Sequence, residues 1–185
     1  MPRRRPERGP AVVVLRIGHR PGRDPRLTTH LALTARALGA RRFWLNPPDP
    51  EIAERIEAVG RRWGGTFAVE GTERWAETVR AYPGAVVHLT MYGEPLDRAL
   101  PKLRRRKEVL AVVGGAKVPA ALYSMATANV AVGHQPHSEV AALALLLAGL
   151  KGIPGPGAWP GAVAEIVPSR RGKNVRPVAA PPGSL

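Results

Sequence analysis

Short, uninterrupted runs of aliphatic and β-branched residues, each followed by a segment of helical pattern, restrict this chain to one class of fold. Ala11–Ile17 reads AVVVLRI, Ala85–Leu89 reads AVVHL and Val109–Val113 reads VLAVV. A strand that is apolar at every position, and not at every second one, is covered on both faces, as parallel strands between helices are. Shorter strands are expected at Phe43–Leu45, Thr66–Val69 and Ala128–Val132. Between them the spacing predicts a helix from His30, capped by Thr28 or Thr29 and stopped at Gly39, and a second at Glu51–Trp63 behind Asp49 and Pro50. Further helices are expected at Thr72–Ala81, Leu96 to about Arg106, Pro119–Met125 and Glu139–Leu150, the last capped by Ser138. The alternation predicts an α/β sandwich on a mainly parallel sheet of about six strands.

The chain has 185 residues, and 44% of them are hydrophobic, enough for one globular domain. Residues 1–10 read as a basic arm, 11–150 as the core domain, and 151–185 as a Gly/Pro-rich and basic extension. Within that extension AVAEIVP offers a last strand, and the residues from about Ala180 are expected to be disordered. The apolar run Ala11–Leu15 is too short for a signal peptide. The longest apolar stretch, Val140–Leu150, falls well below the ~20 residues that cross a bilayer, so a cytoplasmic protein with no membrane partner is expected.

The formal charge is +14, from 28 Lys+Arg against 14 Asp+Glu, and favours a polyanionic partner, nucleic acid above all. A genome that writes Arg for Lys is the competing explanation, since only five of the 28 cations are Lys. With no cysteine, disulfides, thiolate metal sites and cysteine nucleophiles are excluded. Arg20, Arg23 and Arg26 surround a single Asp24 in a loop stiffened by Pro21 and Pro25, which suits a preorganised anion site more than a solvated charge run. Arg16 and Arg36 border it. Arg104-Arg105-Arg106-Lys107, Arg170-Arg171-Lys173 and Arg3-Arg4-Arg5 offer further contacts to a phosphate backbone.

Ligands of open α/β sheets bind beyond the carboxyl ends of the strands. Three polar, Gly-rich loops stand at such ends: TMYGE after Leu89, GGAKVP after Val113 and GHQPHSE after Val132. If their strands are neighbours, the loops converge on one pocket. No G-x-G-x-x-G follows the first strand and no G-x-x-x-x-G-K-[ST] occurs, which disfavours a dinucleotide site and a P-loop. His134, His137 and Glu139 match no standard metal spacing, so no metal is expected. Ser124 and Ser138 lie in no nucleophile-elbow motif.

Three blocks together, LRIGHRPGRDPRLTTHLALTARALGA (Leu15–Ala40), VHLTMYG (Val87–Gly93) and VGGAKVP followed by NVAVGHQPHSEVAALALLL (to Leu147), resemble the archaeal tRNA cytidine-56 2'-O-methyltransferases of the SPOUT superfamily. RWGG (Arg62–Gly65) and EIVPSRRGK also fit. The resemblance implies a SPOUT fold with a C-terminal trefoil knot, a homodimer, and S-adenosylmethionine (AdoMet) as methyl donor to a tRNA ribose. It assigns cofactor contacts to Leu89, to the turn Gly114, Gly115, Ala116, Lys117 and Val118, and to Val132, Gly133, His134, Gln135, Pro136, His137, Ser138 and Glu139.

In related ribose methyltransferases an arginine on the first motif's helix helps deprotonate the 2'-hydroxyl, but Leu33 falls at that position here. Arg20, Arg23 and Arg36 are the candidates for the role. Ala116 stands where the family tends to carry an acid, and about ten residues precede the family's usual start. A SPOUT enzyme with another RNA target, or a basic RNA-binding module without catalysis, are the alternative readings.

Overall fold

A computed structural model of the chain describes residues 9–115 and 118–178. The basic residues 1–8, the turn residues Ala116 and Lys117 and the tail expected to be disordered lie outside these. Strands β1 (Ala11–Arg16), β2 (Arg42–Leu45), β3 (Ala68–Gly71), β4 (Ala85–Pro95), β5 (Glu108–Val113) and β6 (Ala128–Ala131) form one sheet in the order β3-β2-β1-β5-β4-β6. Every pairing in it is parallel. The connecting helices are α1 (Pro25–Ala37), α2 (Pro50–Trp63), α3 (Trp75–Ala81), α4 (Leu96–Leu103) and α5 (Ala121–Met125), and α6 (Glu139–Lys151) follows β6. Strands β7 (Ala164–Ile166) and β8 (Val175–Pro177) form a separate antiparallel pair.

The continuous apolar strands are explained by two hydrophobic layers. Along β5, Val109, Ala111 and Val113 enter a core with Leu31, Ala35, Leu143 and Leu146 of α1 and α6, while Leu110 and Val112 enter the opposite core with Val79 and Leu122 of α3 and α5. Neither face of the central strands meets water, so no polar alternation is required of them.

Several boundaries differ from expectation. Helix α1 begins at Pro25, five residues before His30, because proline at the first helical position has no N–H that needs a partner and already holds a helical φ. Strand β3 and helix α3 start later, at Ala68 and Trp75. Strand β4 continues through MYGEP to Pro95 by means of a register shift against β6 between Leu89 and Glu94. Helix α4 stops at Leu103, with Arg106 N–H returning to the Leu103 carbonyl at 3.0 Å.

After α6 the chain runs along the opposite edge of the domain. There the Trp159 ring packs on Gly65, where a Cβ would stand 2.7 Å from the indole, and Gly64 and Gly65 both take positive φ (73° and 85°). That close approach requires glycine.

Candidate active site

The carboxyl ends of β5, β4 and β6 are adjacent in the sheet, and β1 flanks β5. A cavity of about 470 Å³ opens there, walled by Leu89, Val113, Val130 and Val132 and by Gly114, Gly115, Val118, Tyr123, His137 and Glu139, among others. Its volume is in the ~300–1,000 Å³ range of small-molecule sites. At Gly114 a Cβ would collide with the Val118 side chain, so glycine lets the chain turn tightly at the end of β5.

His88 of β4 lines the same cavity and is 0% exposed. The Asn129 amide donates to the Tyr123 carbonyl at 2.9 Å, which leaves its Oδ1 to accept from His88 Nδ1 at 2.8 Å. The proton therefore sits on Nδ1, and Nε2 is a buried acceptor with no partner among the described residues. Burial holds the imidazole below its ordinary value of 6.5, against the opposing effect of Asn129, so the ring is neutral at physiological pH. The Tyr123 ring meets it edge-on at 4.7 Å.

Beneath the turn after β5 lies Arg16, 1% exposed, whose Nη1 donates to Glu139 Oε2 at 2.8 Å. Burial pushes the Glu139 carboxyl up while the guanidinium pulls it back. The pair ties the end of β1 to the first turn of α6, whose N-terminus is capped by Ser138 Oγ accepting from Val140 N–H.

The arginine loop after β1 is anchored by His19. Its Nδ1 meets Thr28 Oγ1 and its Nε2 meets Asp49 Oδ2, both at 2.9 Å, and Asp49 Oδ1 accepts from the N–H groups of Glu51 and Ile52. These bonds to His19 hold the Asp49 carboxyl below the usual carboxylate range despite its burial. Arg20 forms a two-pronged bond with Asp24 at 2.8 and 2.9 Å, which lowers the Asp24 carboxyl. Arg23 and Arg26 are exposed and make no ion pair among the described residues.

Of the residues singled out by sequence, Leu89, Gly114, Gly115, Val118, Val132, His137 and Glu139 wall the cavity. Gly133, His134, Gln135, Pro136 and Ser138 belong to the loop that carries His137 but not to the cavity wall. Ala116 and Lys117 lie outside the described residues. Arg20 and Arg23 share the loop beyond β1, whereas Arg36 is not brought to them. Helix α1 runs back across the sheet, and Arg36 near its C-terminal end donates to the Gly64 carbonyl and stacks on Trp159 at 4.6 Å.

His88 and the depth of Arg16 were not identified as site features from sequence. The available signals were a histidine inside the apolar run AVVHL and a cation closing AVVVLR. No group of three or more His, Cys, Asp or Glu placed to hold a metal occurs among the described residues.

A family model described as tRNA ribose 2'-O-methyltransferase, aTrm56, matches residues 63–176. A tRNA (cytidine(56)-2'-O)-methyltransferase of Archaeoglobus fulgidus is 44% identical over 164 residues, covering 89% of this chain and 97% of the relative. The chain belongs to this methyltransferase family. A Thermococcus kodakarensis member with the same name is 48% identical over 174 residues, with 89% and 96% covered.

Among solved structures, an RNA methyltransferase of the TrmH family from Porphyromonas gingivalis superimposes with a TM-score of 0.60 at 16% identity, over 81% of this chain and 62% of that one. The SpoU methyltransferase AviRb of Streptomyces viridochromogenes, solved with AdoMet, gives 0.53 at 16% identity, over 78% and 58%. This methyltransferase-family chain thus spans about three fifths of those two solved chains, and it shares their fold.

Proposed function

We infer that this chain transfers the methyl group of AdoMet to the ribose 2'-oxygen of cytidine 56 in tRNA. The observation that carries the reading is a cavity at the adjacent carboxyl ends of β4, β5 and β6, beside an arginine loop, in a chain of this family.

The residues present fit AdoMet. The walls combine aliphatic side chains with polar groups, the glycines expose backbone at the end of β5, and the orphaned His88 Nε2 is an acceptor for which the cofactor carries amino and hydroxyl donors. Leu89, the turn from Gly114 to Val118 and the segment from Val132 to Glu139 are the proposed contacts. When bound, AdoMet supplies an electrophilic methyl group on a sulfonium.

The chain's own part is placement and charge. Gly114 and Gly115 form one wall, and the Arg16–Glu139 pair ties α6 to the end of β1, which preorganises the cavity between them. Of the three candidate arginines, Arg20 is committed to Asp24 and Arg36 lies away from the cavity, so Arg23 is the one proposed to stabilise negative charge on the 2'-oxygen as its proton leaves.

The chain is further proposed to work in the cytoplasm, with residues 11–150 as the catalytic domain between a basic arm (1–10) and the 151–185 extension. It is proposed to carry the trefoil knot of its superfamily and to act as a homodimer. Among the described residues no helix is long and apolar enough to cross a membrane.

The test is methyl transfer from labelled AdoMet to an unmodified archaeal tRNA transcript, with mass spectrometry of nuclease fragments. A 2'-O-methyl group on cytidine 56 is expected. A methylated nucleotide elsewhere overturns the target, and AdoMet binding with no methylated RNA overturns the reaction.

A further inference from the structure

The cation run at the end of α4 is not used by the cavity, and the fold puts it at the other end of the sheet. Lys107 directly precedes β5, and its carbonyl accepts from Ala11 N–H at 2.9 Å. Arg41 N–H bonds to the Val12 carbonyl at 2.7 Å, and Lys151 Nζ reaches the Pro10 carbonyl at 3.1 Å. Arg104 Nε donates to the Gly149 carbonyl at 2.8 Å, fixing the run against the end of α6. Cations from three parts of the chain, the run from Arg104 to Lys107, Arg41 and Lys151, therefore stand at the amino ends of β1 and β5.

Arg105, Arg106 and Lys107 are exposed and make no ion pair among the described residues. Glu108, the carboxylate next to them, is half-buried. Arg105, Arg106 and Lys107, side by side with no ion pair among the described residues, repel one another, and folding alone gives no reason to hold these three at one edge. A polyanion that displaces its own counter-ions there does.

We propose that this edge, centred on Arg105, Arg106 and Lys107, is a second phosphate-binding surface that grips the tRNA body away from the nucleotide in the cavity. The six residues of β5 separate the two ends by about 20 Å. An RNA touching both must span at least that distance, which the body of a folded tRNA does while one of its nucleotides is held at the cavity. This rests on the reading of tRNA as substrate.

The test compares the salt dependence of tRNA affinity in two variants that lose the same charge. Arg105→Ser/Arg106→Ser/Lys107→Ser removes the edge, and Arg55→Ser/Arg61→Ser/Arg62→Ser removes three cations from α2. With one phosphate neutralised per cation, the edge variant should lower the slope of log K against log salt by about 2–3. Between 50 and 200 mM salt the native chain should lose about 20- to 40-fold more affinity than the edge variant does. The α2 variant should change the slope by less than about 1, and AdoMet affinity should stay within about twofold in both.

Equal slope changes in the two variants would mean bulk charge alone, and no change in the edge variant would remove the surface; either overturns the proposal. So does a change in sedimentation mass, which would give the edge to a subunit interface. If the triple variant no longer binds AdoMet, Arg105→Ser and Arg106→Ser singly carry the test, each expected to lower the slope by about 0.7–0.9. A native chain that binds tRNA with the expected slope but methylates nothing would overturn the proposed reaction and leave the surface standing.

Discussion

Arg16 and Arg36 are both buried guanidinium groups, held by different means. Arg16 has a carboxylate at 2.8 Å, whereas Arg36, 8% exposed, has among the described residues only the Gly64 carbonyl and the Trp159 ring, and burial lowers its pKa. Arg36→Ala should therefore cost about 2–4 kcal/mol of stability, read by denaturant unfolding, with kcat within about threefold of native. A hundredfold loss of kcat at unchanged stability would return Arg36 to the chemistry.

His88 gives a pH prediction. Its folded-state value is depressed, so below the ordinary 6.5 the unfolded chain binds a proton that the folded chain refuses. Stability should be full above that value and fall with decreasing pH, by at most about 1.4 kcal/mol per pH unit, and His88→Gln should flatten this limb. An unaltered acid limb in the variant would show that His88 is not its source. Sequence places Arg36 beside the arginine loop and gives His88 no role. It did not show that Arg36 reaches residues 28 and 123 positions away, because such contacts exist only once the sheet is assembled.

The elements most legible in sequence are those whose caps and periods agree. Helix α2 has Asp49 bonding two N–H groups and Pro50 in its first turn, and α6 has Ser138 and an unbroken apolar run. Helix α1 starts five residues before the sequence suggests, because Pro25 looks like loop punctuation until its position at a helix start is seen. Strand β4 runs on through MYGEP, where glycine and proline depress strand propensity, because here Gly93 is what permits pairing. A Cβ on Gly93 would collide with the backbone of Asn129 and Val130 in β6. Backbone cannot rotate aside as a side chain can, so Gly93→Ala should destabilise by about 1–3 kcal/mol. Gly133→Ala, with nothing within 4 Å of its Cβ, should be near neutral. Equal effects at the two sites in thermal unfolding would mean that β6 has room to move.

At the scale of the whole molecule, α6 shows an imbalance. Ala142, Leu143, Leu146, Leu147 and Leu150 bury one side of it in the core, yet the outward side is also apolar, with Ala141 exposed and Leu145 53% exposed. A helix that faced solvent would carry polar residues there, so the proposed second copy is best placed against this face. Two copies each carrying +14 repel, and the attraction between them must be apolar. Dimerisation should therefore strengthen as salt rises, the opposite of tRNA binding, which weakens through counter-ion competition. Sedimentation is expected to give about 40 kDa, twice the chain mass of 19.8 kDa, and Leu145→Glu is expected to give a folded monomer. A native mass near 20 kDa throughout the micromolar range, or a dimer that dissociates with salt, would rule out association through this face.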